Sequence, residues 1–223
     1  MEAGPYDLAI FDCDGVLVDS ERLAVRVDVE VLGEMGWVLS EEEVVARFVG
    51  RPHAHMAEQL ALYLGRELPA GWEETFGHRY ISVFEAELTP VPGVVEAVDA
   101  IAAAVSATCV ASSSSHRHLR FALGLTGLYE RFEGRIFSAH DVAQGKPAPD
   151  VFLHAASTMG VAPSRCAVVE DSVPGVTAGL AAGMSVYAYC GGVTPGSLLG
   201  AVDERVICFD DMADLPTLLL KTA

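Results

Sequence analysis

From residue 90 onward the chain alternates short apolar runs with amphipathic stretches, and this alternation restricts the fold more than any other feature of the sequence. The spacing predicts helices over 93–104, 116–129, 149–159 and 174–182, with a closing helix from Asp211. Between them it predicts strands over 105–111, 135–139, 166–169, 185–190 and 205–209. Strands that alternate with helices form a parallel sheet covered on both faces. The expected class is α/β, with a Rossmann-like parallel sheet as its core. In such open sheets ligands bind beyond the carboxyl ends of the strands, so residues just past each apolar run are the candidates for one shared site.

One further run, Leu8-Ala9-Ile10-Phe11, breaks directly into Asp12-Cys13-Asp14-Gly15. Two carboxylates one residue apart at a strand end need a reason to coexist, and a divalent cation is the simplest one. Mg²⁺ takes oxygen ligands, commonly one or two carboxylates with waters and a substrate phosphate. Asp-x-Asp-Gly also occurs in solvated turns and at helix N-caps, so this stretch gains weight only from polar residues at the later strand ends. The run 166–169 ends in Glu170-Asp171-Ser172, a second acidic pair able to complete such a site, or another solvated turn. The run 105–111 ends in Ser112-Ser113-Ser114-Ser115, whose hydroxyls and backbone N–H groups offer a phosphate cradle ahead of a helix, or simply cap that helix. Both roles are compatible.

Composition matters most at one residue. The chain has 223 residues and a net charge of −17, yet only two of its 14 basic residues are lysines, Lys146 and Lys221. Lys146 stands in Gly145-Lys146-Pro147, where glycine and proline restrict the backbone, and a lysine there can offset clustered carboxylates and hold phosphate. A solvated loop lysine is the commoner fate of this residue type; scarcity and rigid flanks favour a function. The acidic balance argues against binding a nucleic-acid backbone. No apolar run has membrane-spanning length, and Met1–Pro5 lacks the basic and apolar regions of a signal peptide, so a cytoplasmic protein, monomeric or weakly homo-oligomeric, is expected. The cysteines (Cys13, Cys109, Cys166, Cys190, Cys208) lie in or beside apolar runs without Cys-x-x-Cys spacing and read as buried thiols. Cys13 is no nucleophile, since neighbouring carboxylates oppose a thiolate.

The stretch between the first acidic pair and residue 90 has a different style. It reads as four helices: 20–36 with Ser20 as N-cap, one through Phe48 opened by Ser40-Glu41-Glu42-Glu43 as a capping box, 52–64 and 70–88. The expected organisation is a core of residues 1–17 and 89–223 with a helical insertion over 18–88.

In order and over the whole chain, these residues resemble the haloacid dehalogenase superfamily. Asp12-x-Asp14-Gly15 is similar to its first motif, Ser112 to its second, Lys146 to its third and Glu170-Asp171 to its fourth, while the insertion is similar to the family's four-helix cap. The resemblance implies a Mg²⁺-dependent phosphatase acting on a small phosphorylated metabolite through an aspartyl-phosphate. Asp12 would be the nucleophile and a metal ligand. Asp14 would be the general acid and base, lending its backbone carbonyl to the metal. Asp171 would be a further ligand with Glu170 behind it, and Ser112, Ser113 and Lys146 would hold phosphoryl oxygens. An acid at Asp14 separates this chain from halide-releasing members, and Asp12-Cys13-Asp14-Gly15-Val16 from transport ATPases with Asp-Lys-Thr-Gly-Thr. Mutases of the β-phosphoglucomutase type carry a cap histidine where Ala24 stands, and a cap lysine where 18–88 has none. Phe11–Gly15, Arg47–Gly50 and Met184–Cys190 are closer to sugar-phosphate phosphatases, 6-phosphogluconate phosphatases among them. Arg51, opening a cap helix, is the foremost expected substrate contact there, with His53 and His116 weaker candidates; a surface arginine serves equally as an explanation, and an isolated histidine is more often structural. Ser20 is expected at the hinge of cap closure. A mutase and a non-catalytic metabolite-binding protein are the competing readings.

Overall fold

The structure, a computed structural model, describes residues 4–49 and 53–221, and only the backbone of residues 53, 54 and 73–75. In chain order its elements are β1 (Leu8–Phe11), α1 (Ser20–Glu34), α2 (Glu41–Phe48), α3 (His53–Leu64), α4 (Trp72–Glu87), α5 (Val94–Ala102) and β2 (Ala107–Ser112). Then come α6 (His116–Leu125), α7 (Tyr129–Phe132), β3 (Ile136–Ser138), α8 (Asp150–Thr158), β4 (Cys166–Glu170), α9 (Val173–Ala181), β5 (Ser185–Tyr189), α10 (Gly196–Gly200), β6 (Ile207–Phe209) and α11 (Leu215–Leu220). The chain divides into two compact units, one spanning Ser20–Leu88 and the other formed by the segments on either side of it.

The second unit is a six-stranded parallel sheet in the order β3-β2-β1-β4-β5-β6, the α/β class the alternation predicts. Every residue of β1 is fully buried, as expected of a central strand flanked on both sides. Alternation along the strands sorts side chains between the two faces. Leu8, Ile10, Cys109, Ala111, Cys166, Val168, Val186 and Ala188 pack with Val151, Phe152 and Ala155 of α8 and Val176 of α9. Phe11 points the other way, its ring 6.1 Å from that of Phe132. Register then aligns the strand ends: Phe11 lies opposite Val110 on one side and Val169 on the other, so Asp12, Ala111 and Glu170 emerge along one rim.

Some details differ from the expected pattern. The single helix expected over 116–129 is two, because Thr126 closes α6 on the Ala122 carbonyl and Gly127, at φ 70°, turns the chain so that the Leu128 N–H returns to Leu123. The short α10 carries one buried leucine, Leu199, between two glycines, too little for any periodicity to reveal. Cys13, Cys109 and Cys166 are buried thiols, but Cys190 is only half-buried and Cys208 is exposed, because β6 forms the edge of the sheet.

The helical unit forms its own core from Val25, Val27, Val31, Leu32, Leu39, Val44, Phe48, Met56, Leu60 and Phe76. Its α2 opens on the capping box, with the Glu43 N–H donating to Ser40 Oγ and the Ser40 N–H to Glu43 Oε2. Ser20 is the first residue of α1 and not its cap.

Candidate active site

At the carboxyl end of β1 the Asp12 backbone N–H donates to the Val169 carbonyl at 2.9 Å, which places the Asp12 side chain at the head of β4. There Lys146 closes a buried ionic cluster. Its Nζ donates to Asp12 Oδ1 at 2.5 Å, to Glu170 Oε1 at 2.6 Å and to the Ala111 carbonyl at 3.0 Å, 4.8 Å above the Phe152 ring. The lysine side chain is 3% exposed. An ammonium withdrawn from water this far requires such partners. Glu170 uses its second oxygen too: Oε2 accepts from the Asp171 and Ser172 N–H groups and from the Ser172 hydroxyl.

Charge in this cluster does not balance. Asp12, Glu170 and Asp171 are all buried, and one oxygen of each lies within 4.8 Å of the others. Burial pushes the Asp12 carboxyl up to about 7, with Glu170 and Asp14 adding to the rise and Lys146 opposing it. For Lys146 burial works downward, but attraction to Asp12 and Glu170 outweighs it and holds the ammonium above its ordinary range. Burial, with Asp14 and Asp12 beside it, also lifts the Cys13 thiol far from reactivity.

The turn after β1 is shaped around Asp171. Gly15 has φ 78°, and a Cβ there would collide with the Asp171 carboxylate. Gly175, in the first turn of α9, likewise leaves room for the Glu170 carboxylate. These glycines let backbone approach carboxylates where any side chain would intrude.

Asp14, two residues past Asp12, is gripped from the loop after β2 and from α6. The Ser114 hydroxyl donates to its Oδ2 at 2.7 Å, and His118 Nε2 lies 2.9 Å from its Oδ1.

Most of the chain is similar to known proteins. Residues 6–183 match the model of the haloacid dehalogenase-like hydrolases. The chain belongs to that family. It is 31% identical over 213 residues to the 6-phosphogluconate phosphatase of Escherichia coli (strain K12), covering 95% of this chain and 94% of that protein. To hexitol phosphatase B of the same organism it is 33% identical over 181 residues, covering 79% and 80%. A HAD family hydrolase from Deinococcus radiodurans R1, solved with bound phosphate and sodium, superposes with a TM-score of 0.82 at 30% identity, covering 98% of this chain and 100% of that one. The haloacid dehalogenase-like chain is thus an enzyme, a hydrolase whose aligned relatives include phosphatases.

Within this hydrolase, Ser112 ends β2 buried, its Oγ accepting the Ser114 N–H at 3.1 Å. Ser113 is exposed beside it. Ser115 is the N-cap of α6, accepting the His118 N–H, so the serine run does cap the helix. His116 is half-exposed and bound to the Asp141 carboxylate at 2.8 Å. Arg51 lies outside the described residues, as does the side chain of His53. Sequence reasoning took Ser114 only as part of the serine run and passed over His118. Their signal was a polar residue in the loop, and another in the first turn of a helix, both just beyond a strand that pairs with β1.

Proposed function

We propose that this protein is a Mg²⁺-dependent phosphatase of a small phosphorylated metabolite, a sugar phosphate, working through an aspartyl-phosphate on Asp12. The observation that carries the reading is the buried rim cluster, where Asp12 and Glu170 share one lysine and Asp171 stands beside them. Such oxygen-only donors with surplus negative charge suit a hard divalent ion. Asp12, Asp171 and the Asp14 carbonyl would hold it, with Glu170 kept behind them by its bonds to Lys146 and Ser172. Bound there, Mg²⁺ would offset charge on the phosphoryl group.

The remaining work falls to side chains. Asp12 attacks phosphorus as the ester oxygen departs, and Asp14 supplies the proton that oxygen needs. Water then displaces Asp12 from phosphorus and returns a proton to Asp14. Lys146 restrains the nucleophile and, with Ser112 and Ser113, binds phosphoryl oxygens; the Ser112 oxygen accepts from the Ser114 N–H, and its own hydroxyl proton can be given to a phosphoryl oxygen. The unit Ser20–Leu88 serves as a cap that selects the organic part of the substrate, which Arg51, His53 and His116 contact. A sugar phosphate is supported by the 6-phosphogluconate and hexitol phosphatases among the relatives. Against a mutase stand Ala24 at the histidine position and the lack of any lysine in residues 18–88.

Phosphate release from a panel of phosphorylated sugars, sugar acids and sugar alcohols, with Mg²⁺, tests the proposal. At least one should be hydrolysed, and Asp12→Asn should lower turnover by roughly a thousandfold or more, as removal of a covalent nucleophile does. A folded protein that releases phosphate from none of them overturns the reading.

A further inference from the structure

We infer that His118, acting with Ser114, is a positioning residue that fixes the Asp14 carboxylate in the orientation needed for proton transfer; the inference rests on the phosphatase reading. The grip is on two different oxygens from two different elements. Ser114 Oγ donates to Oδ2 at 2.7 Å, and His118 Nε2 meets Oδ1 at 2.9 Å. Two contacts at separate oxygens set the plane of a carboxylate, which a single contact leaves free to rotate.

The gripping groups are themselves braced. The His118 N–H is capped by Ser115 Oγ in the first turn of α6. The Ser114 N–H is bound to Ser112 Oγ, and the Ser114 carbonyl accepts from Ser138 Oγ at 2.7 Å, a residue with no exposure at the end of β3. A chain of bonds thus runs from β3 through the end of β2 to the loop after β1, and it ends on Asp14. This support is separate from the ionic one, in which Lys146 binds Asp12, Glu170 and the Ala111 carbonyl. One network therefore aims the nucleophile and another aims the acid. Misplacing a reacting group by about 1 Å costs on the order of a hundredfold in rate, so a braced acid is worth its hydrogen bonds.

Proton transfer separates this role from a merely structural one. In the first half-reaction the Asp12–phosphorus bond forms, the phosphorus–alkoxide bond breaks, and the proton on Asp14 moves to the alkoxide. A sugar alkoxide is a strong base and needs that proton; a nitrophenolate is a weak base and leaves without it. Because kcat/KM reports the steps through this first transfer, the ratio of kcat/KM for a hydrolysed sugar phosphate to that for p-nitrophenyl phosphate isolates the aim of Asp14. For His118→Ala the ratio should fall about tenfold or more. For His118→Gln, whose amide N–H reaches a similar position, most of the ratio should return. Should the alanine variant lose its fold by thermal melting, His118→Leu keeps the volume without the donor and carries the same prediction. A ratio unchanged within about twofold overturns the inference, whether or not both rates fall together, and so does a glutamine variant no better than alanine. Wild-type protein inert toward both esters would instead sink the phosphatase reading, which keeps the two failures apart.

Discussion

Asp12 at the sheet rim and Asp28 in the helical unit are both buried, and burial raises both, to about 7 and about 6 respectively. Their company differs. Asp12 sits among charges, with Lys146 against it and Glu170, Asp171 and Asp14 nearby. Asp28, on α1, accepts a hydrogen bond from the neutral hydroxyl of Tyr80 on α4, beside an apolar core. Burial also raises the Tyr80 hydroxyl, with the Asp28 charge adding to it. A single buried acid can be satisfied by a phenol, whose hydrogen bond opposes the rise that burial causes. Several acids around one lysine cannot all be satisfied that way, and packing gives no reason to gather them. The surplus charge at the rim is therefore what the proposed cation would offset, whereas Asp28–Tyr80 holds two helices together.

The largest effect that could break this contrast belongs to Lys146. Replacing it by methionine leaves Asp12 and Glu170 without their buried counter-charge, a loss that typically costs about 3–5 kcal/mol when one partner of a buried pair is removed. Lys146→Met should abolish measurable phosphate release and lower the melting temperature sharply, with added Mg²⁺ restoring part of the melting temperature and none of the turnover. A variant that melts like the parent would mean the rim is not charge-stressed, and the contrast with Asp28 would fall.

Cation binding should itself report the stress. A carboxyl held near 7 in the metal-free protein must lose its proton before it can ligate. Mg²⁺ affinity measured by calorimetry should therefore be nearly constant above about pH 8 and weaken by up to about tenfold for each unit below about 7, with protons released on binding. A dissociation constant that stays flat from about pH 8 to about pH 6 would show Asp12 already ionised and balanced by Lys146 alone.

How much of this was legible in the sequence depended on distance along the chain. The sheet was readable because each strand is an apolar run ended by polar or turn-forming residues. Asp12, Glu170 and Asp171 were readable because they stand at the ends of such runs, and Lys146 because a lysine is rare in this composition and sits between glycine and proline. The hold on Asp14 was not, since Ser114 and His118 lie 100 and 104 residues away and reach it only through the pairing of β1 with β2. His116 read as a contact for substrate, and its bond to Asp141, 25 residues on, was not foreseen. Asp28 was invisible for another reason: one acid among the polar residues of an amphipathic helix looks like a surface group until its partner, 52 residues later, covers it.

That hidden pair supplies the smallest and most discriminating test. The folded value of Asp28, about 6, lies above its ordinary 3.8, so between these values the folded state retains a proton the unfolded chain has lost. Stability from this group is thus greatest below about pH 4, falls as pH climbs through the window from about 4 to 6, and is level above it. Asparagine keeps the shape and still accepts the Tyr80 hydroxyl, but it never ionises. Asp28→Asn should raise stability at about pH 8 by on the order of 2 kcal/mol, seen as a higher melting temperature, and the gain should vanish near about pH 4. Turnover at the rim should be unaffected. If the variant is instead less stable at the alkaline end, the ionised Asp28 is held by more than a phenol, and the helical unit carries a charge-bearing site of its own.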